Sequence, residues 1–342
     1  MRTFTAAMLL ACLIMANVTG ARAWGAHGHR IINGDAARAL PAIVPAFVRT
    51  PEAIAEIEAL GPEADRLKGA GVMWDSEFDP GHYLDLDDDG TIAGVVPLSD
   101  LPPTREAYDT AVRKGHPIEG HAPDQWRVGY LPYSIIEDYQ QVVQDFAWWR
   151  VDSYGATHAT DAPTRAAFDA DRKLRETLTL RDIGYWGHFI GDGSQPLHVS
   201  VHYNGWGNYP NPNNYTQSKT THADFETGFV NAHATEELVQ PRIHPFVAST
   251  MPFVQQVEAY LKATNAGVPT VYRLTGAGAF SAATPESIGF TLDRLAAGAE
   301  MFRNAIAEAW IASDEAKVGY PGVRAHDVET GDADAPLPRA TP

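Results

Sequence analysis

Apolar residues recur every three to four positions along most of this chain, the spacing of helices that bury one face. IINGDAARALPAIV, just after His29, carries the pattern as far as Pro41, whose missing N–H stops a helix. PEAIAEIEAL opens on Pro51, a residue suited to a first helical turn. SIIEDYQQVVQDFAWWRVD repeats the period from Ser134, a residue type that caps helix starts. APTRAAFDADRKLRETLTLRDIGYWGHFIGD is long enough for one helix or two. HADFETGFVNAHATEELV, HPFVASTMPFVQQVEAYLKA and TPESIGFTLDRLAAGAEMFRNAIAEAWIA complete the helical set. Asp75–Leu101 and Val199–Thr221 lack the period and read as long loops, the second rich in Asn, Tyr, Gly and Pro. No linker, internal repeat or low-complexity run divides the chain, which predicts an all-α, single, mostly helical domain over residues 24–320. The segment 321–342, ending DADAPLPRATP, reads as a disordered tail.

The stretch GHFIGDGSQPLH, from Gly187 to His198, concentrates metal-ligand chemistry on this scaffold. His188 and Asp192 are four apart, so a helix puts them on one face. His198 follows past Pro196, which should end that helix. A second pair with the same spacing, His222 and Glu226, lies in THADFETGFV. One such pair arises by chance on a solvated helix face. Two pairs with an intervening histidine form a donor set for a borderline divalent ion such as zinc. His27, His116, His121, His158, His202, His233, His244 and His326 fall outside this pattern and read as surface or hydrogen-bonded residues, His202 being the nearest outsider. DLDDDG, from Asp85, mimics the opening of a calcium loop, but the twelfth position is Val96 and no EF-hand is expected.

The first 23 residues, MRTFTAAMLLACLIMANVTGARA, combine one early Arg, a short apolar run and an Ala-Arg-Ala end. They read as a secretory leader, too short in its apolar run to anchor in a membrane. Cleavage after Ala23 would give a secreted or periplasmic protein beginning at Trp24. The free amine and carbonyl of Trp24 could then chelate a metal, with His29 close behind. The 342 residues hold 43 Asp and Glu against 26 Lys and Arg, a formal net charge of −17, and the leader removes two arginines and no acid. Such a surface repels nucleic acid and anionic membrane over long range, which argues against a duplex-binding protein. It leaves room for an enzyme whose phosphate-binding charge is its own metal cluster. The one cysteine, Cys12, lies in the leader, so any cross-linking of the mature chain falls to metal rather than to disulfides.

Taken in order, the amino-terminal Trp24, W-G-x-x-G-H, H-F-I-G-D-x-x-x-P-L-H and the later H-x-x-x-E resemble one family of zinc phosphodiesterases. It includes the fungal-type single-strand nucleases (the S-one/P-one family) and the bacterial zinc phospholipases C. The resemblance spans roughly residues 24–310. It implies a fold built around a trinuclear zinc cluster, with the long loops as its rim. The family places an Asp in an A-D-x-x-K/R context and then a His followed by an aromatic; Asp65 with Lys68, and His82 with Tyr83, match. Asp75 competes with Asp65. The implied first zinc lies on Asp65, His82, His188 and Asp192, the second on Trp24, His29 and a bridging Asp192, the third on His198, His222 and Glu226.

The resemblance also implies that Tyr83 stacks a base and Asp85 reads it. The expected chemistry is attack on phosphorus by a hydroxide held between two zinc ions, with Asp65, Lys68 and Asp192 as the catalytic side chains. The favoured substrate is single-stranded nucleic acid or a 3′-nucleotide, acted on by a monomer with no stable protein partner. The short spacing from Trp24 to His29 is nuclease-like. Glu226 votes for the alternative, a phospholipase C, because the nucleases place Asp there.

Overall fold

Prolines and side-chain caps set most of the helix starts. The computed structural model describes residues 24–118 and 120–338, so the expected leader lies outside the described residues. Helix α1 (Gly25–Arg38) leads to α2 (Pro51–Leu60), where the Thr50 hydroxyl accepts from the Ala53 amide at 3.1 Å. α3 (Leu131–His158) carries Pro132 in its first turn, and α4 (Ala162–Asp192) is capped by Asp161, which accepts from the Thr164 amide at 2.8 Å. α5 (Phe253–Asn265), α6 (Val268–Gly276) and α7 (Pro285–Ala312) follow, with Thr284 capping α7. Each cap pairs an N–H that the helix leaves free, and each proline sits where an N–H is dispensable. Among the described residues, strand is confined to two small antiparallel hairpins, β1–β2 (Thr91–Ile92 with Val96–Pro97) and β3–β4 (Lys317–Val318 with Val323–Arg324). The chain is mostly helical, in line with the all-α expectation. No helix among the described residues is long and apolar enough to cross a membrane.

Several boundaries differ from the sequence reading. Ser134 is not the cap of α3: the helix begins at Leu131, and the Ser134 amide already bonds to the Tyr130 carbonyl. Pro132 fits the first turn, so the helix extends back past the serine. The stretch that allowed one helix or two is one helix of 31 residues. HPFVASTM is not helical; α5 starts only after Pro252, because the prolines at 245 and 252 favour extended backbone before them. The Asp75–Leu101 stretch is not all loop, since Val72–Phe78 is a short helix, Asp79–His82 a tight turn, and β1–β2 closes it. The expected disordered tail is also corrected. β3 and the helix Ala325–Glu329 lie against α3, where Val318, Ala325 and Val328 bury themselves with Ala147 and Val151.

Two apolar clusters make the core, and α1 and α7 run through both. Ala36, Ala37, Ala299, Phe302 and Ile306 from these helices join Phe146, Ile183, Trp186 and Ile190 of the α3–α4 pair. Ile31, Ile32, Leu292 and Leu295 join Trp24, Phe225, Val268 and Tyr272 in the other. Asn33 pins α1 to its neighbours, its amide donating to the carbonyls of Ile57 and Gly184 at 2.9 Å each.

The α3–α4 hairpin carries acids at seven-residue intervals, Asp138 half-buried and Asp145 and Asp152 fully buried, all facing α4. Arg175 pairs with Asp145 at 2.8 Å, whereas both carboxylate oxygens of Asp152 lack partners. Burial, with Asp171 nearby, pushes Asp152 up to about 7. A carboxyl raised in the folded state favours folding at low pH, and that contribution is lost as pH rises from about 4 through about 7. Asp152→Asn, neutral at every pH, should therefore stabilise the fold at pH 8 by about 1–3 kcal/mol, with the gain shrinking as pH falls through about 7 and vanishing near about 4. Denaturant midpoints at both pH values check this; a gain independent of pH would show that the carboxyl is not held protonated.

Candidate metal centre

The helices α1 and α4 come together at glycine. A Cβ at Gly191 would approach His29 Nδ1 to 2.8 Å, and one at Gly187 would overlap the Asn33 side chain. This close approach sets His29 of α1 beside His188 and Asp192 of α4. The His29 and His188 rings stack with centroids 3.9 Å apart. Asp192 Oδ1 lies 3.5 Å from His29 Nε2, and Oδ2 lies 3.5 Å from His188 Nε2. Each carboxylate oxygen thus faces a different imidazole.

Asp65 reaches the same place from the turn Ala64–Leu67 that follows α2, and His82 from the turn Asp79–His82. Asp65 Oδ1 is 3.5 Å from His188 Nε2, 4.0 Å from His82 Nε2 and 2.6 Å from Lys68 Nζ. A third group forms beyond Pro196. His198 sits on the turn Pro196–His198, and His222 and Glu226 on the segment Thr221–Phe229. Residues 224–229 of that segment wind as a π-helix, a form often found at functional sites. Glu226 Oε2 lies 2.7 Å from His222 Nε2 and 3.6 Å from His198 Nε2. Asp192 Oδ1 is 3.9 Å from His198 Nδ1, so this group adjoins the others.

Each of the three clusters offers two imidazoles and one carboxylate, with all ligand atoms within 4.8 Å of one another: His29–His188–Asp192, Asp65–His82–His188 and His198–His222–Glu226. Main-chain carbonyls orient the rings. Nδ1 of His188 donates to Gly61 O at 2.8 Å, that of His198 to His82 O at 2.7 Å, and that of His222 to Tyr203 O at 2.8 Å. His82 Nδ1 points at the carbonyls of Phe78 and Asp79, both at 3.2 Å. A carbonyl can only accept, so Nδ1 carries the proton and Nε2 keeps its lone pair. Nε2 of His82 and His188, both ring nitrogens of His29, both oxygens of Asp192 and Oε1 of Glu226 are buried without a hydrogen-bond partner. So many orphaned polar atoms in one place are costly alone, and a divalent cation satisfies the acceptors among them. The two-imidazole, one-carboxylate chemistry fits zinc.

The electrostatics agree. Burial lowers His29 and His82 well below the ordinary imidazole range, takes His188 down to about 4 and lowers His198. These rings are neutral at pH 7, as ligands must be. Burial pushes Asp192 well above the carboxylate range, only partly offset by Lys68. Burial also opposes charge on Asp65, but the His188 and Lys68 side chains overcome it and hold that carboxyl low. Burial likewise opposes the Lys68 ammonium, and Asp65 and Asp192 outweigh it.

Of the residues singled out from sequence, His29, Asp65, His82, His188, Asp192, His198, His222 and Glu226 all fall in these groups. Asp75 does not: it lies on the Val72–Phe78 helix and accepts from the Gly69 amide at 2.8 Å. Trp24 is fully buried, and its indole N–H reaches Gly191 O at 2.9 Å and Ser194 Oγ at 2.7 Å, on either side of Asp192 in the chain. Tyr83 and Asp85 continue from His82, outside the three groups. The Tyr83 hydroxyl donates to Trp126 O at 3.2 Å, and the Asp85 amide to Val128 O at 2.7 Å. His202 stacks on Trp206 and pairs with Asp88, and is not a member of the three donor groups. The sequence reading gave no role to Gln195, whose amide meets Glu226 and His222. It also missed the exposed Val72, Met73, Trp74 and Phe78 on the short helix between Lys68 and His82. No protein-family model matches this chain, and neither does any curated protein.

Metal should couple to stability here. Ligand that binds only the folded chain adds RT ln(1 + [L]/Kd), about 2.7 kcal/mol at 100 times Kd. Zinc should raise the melting temperature at pH 7 and a chelator should reverse the gain, as read by calorimetry. A melting temperature indifferent to both would overturn the assignment.

Proposed function

We propose that this chain is a zinc-dependent phosphodiesterase that hydrolyses single-stranded nucleic acid and 3′-nucleotides. The observation that carries this reading is the convergence of three two-imidazole, one-carboxylate groups, with the half-buried Lys68 against Asp65. His82, Asp65 and His188 would hold one ion, His29 and Asp192 a second, and His198, His222 and Glu226 a third. Zinc bound there supplies Lewis acidity and makes a water nucleophilic near neutral pH.

The chain's own side chains supply the rest. Asp192, with an oxygen toward each of two imidazoles, is suited to screen two neighbouring cations from each other. Ionised Asp65 can take a hydrogen bond from the attacking water and orient it. Lys68 can place positive charge on a non-bridging phosphoryl oxygen as charge builds there. The phosphorus–oxygen bond to the incoming water oxygen forms as that to the leaving oxygen breaks, and the leaving oxygen ends protonated. No serine or cysteine nucleophile is needed. In this reading the chain is exported, and cleavage after Ala23 frees the Trp24 amine to join His29 and Asp192. The burial of Trp24 against the end of α4, where Asp192 lies, supports that role.

A phospholipase C is the second reading. The exposed apolar Val72–Phe78 helix beside the Asp65 turn favours it, because lipid-facing surfaces need such residues. Zinc-loaded mature protein offered single-stranded DNA, RNA and phosphatidylcholine in parallel separates the two. We expect nucleic-acid cleavage. Tyr83→Ala should weaken it by about 1–3 kcal/mol in transition-state terms while sparing a base-free activated phosphodiester. Asp192→Asn should abolish both activities. Turnover of phosphatidylcholine alone would replace the nuclease reading with the lipase one.

A further inference from the structure

Gln195 is completely buried in the turn that leads from Asp192 to His198. Its amide N–H bonds to Asp192 O at 3.0 Å, and its carbonyl accepts from the His198 amide at 2.9 Å. Its side chain does two further things. Oε1 accepts from the Leu197 amide at 2.6 Å, capping the turn that carries His198. Because an N–H must meet an acceptor, this bond fixes which end of the side-chain amide is oxygen. Nε2 therefore faces the other way, 3.2 Å from Glu226 Oε2 and 3.3 Å from His222 Nε2. Glu226 Oε2 is the oxygen turned toward both imidazoles of the third group.

We infer that Gln195 is a positioning residue that clamps the Glu226 carboxylate in its ligand orientation and so sets the affinity of the His198–His222–Glu226 site for zinc. The inference rests on the metal reading above. A glutamate carboxylate turns freely about its last torsion, which is broad. One N–H from a residue that cannot move, because its other end caps the adjacent turn, removes that freedom. A neutral amide does so without cancelling the negative charge the cation needs, as a lysine or arginine would. The same residue thus ties all three ligands together: His198 through the backbone turn, Glu226 and His222 through Nε2.

Two variants separate clamping from turn capping. Gln195→Ser keeps a residue type that caps turns but is too short to reach Glu226. Gln195→Met keeps the length and removes both functions of the amide. Zinc content after dialysis against buffered zinc, competition with a chromophoric chelator, and melting temperature with and without chelator are measured for each, beside the wild type. We expect one ion to bind roughly 10–100-fold more weakly in both variants, the others being unchanged. Gln195→Ser should melt like wild type in chelator and lose part of the zinc-dependent rise. In a His222→Ala background, Gln195→Ser should change zinc content no further. Wild-type affinities in both variants, or an equal fall in melting temperature with and without chelator, would overturn the clamp and leave Gln195 a turn cap. Wild-type protein that takes up no zinc would instead overturn the underlying metal reading.

Discussion

Eight imidazole and carboxylate side chains meet inside this molecule where water cannot reach most of them, and desolvation is the constraint on which the rest depends. Buried carboxylates without cations cost several kcal/mol each. Lys68, against Asp65, supplies one fixed positive charge to the cluster. The neutral imidazoles cannot supply more, since burial keeps them deprotonated. Divalent cations balance such a set, and the helices are arranged to let the donors converge. Glycines on α4 admit α1, and Gly61 at the end of α2 offers its carbonyl to His188.

That arrangement spreads the centre over distant parts of the chain. α1 and α7 contribute to both apolar clusters, so neither cluster can repack without shifting α1, which carries His29. Asn33, one turn beyond His29, locks α1 to α2 and α4 with two hydrogen bonds. The scaffold also carries a burden away from the centre. Asp152 inside the α3–α4 hairpin lies outside the donor groups, its carboxylate has no hydrogen-bond partner among the described residues, and the charge of Arg175 offsets its burial only in part.

Features set by local spacing were legible in the sequence. Helical period marked α2, α4 and α7, and the four-residue spacings of His188–Asp192 and His222–Glu226 held because a helix turn fixes them. Features set by long-range approach were not. Asp65 and Asp75 are the same residue type and close in sequence; only the turn after α2 brings the first to His188. Ser134 looked like a cap because capping is a residue preference, but Pro132 let the helix begin earlier. The segment 321–342 read as a disordered tail, yet the small apolar side chains of Ala325 and Val328 seat its helix on α3. Gln195 gave no signal, since its role depends on a glutamate 31 residues away.

The carbonyls that aim His82, His188, His198 and His222 have a consequence for how the chain can vary. Every residue type presents the same C=O, so the partners at Phe78, Asp79 and Tyr203 survive most side-chain replacements there, whereas Gly61 is held to glycine because a Cβ would press on the His29 carbonyl at 2.7 Å. Centres whose imidazoles are held by carboxylates leave a trail of acidic residues that must be kept. Here the orienting layer is written in backbone path rather than in side chains. Sequences could drift far around the donor residues and still point each ring correctly, and a comparison of residues alone would find little of that layer to align.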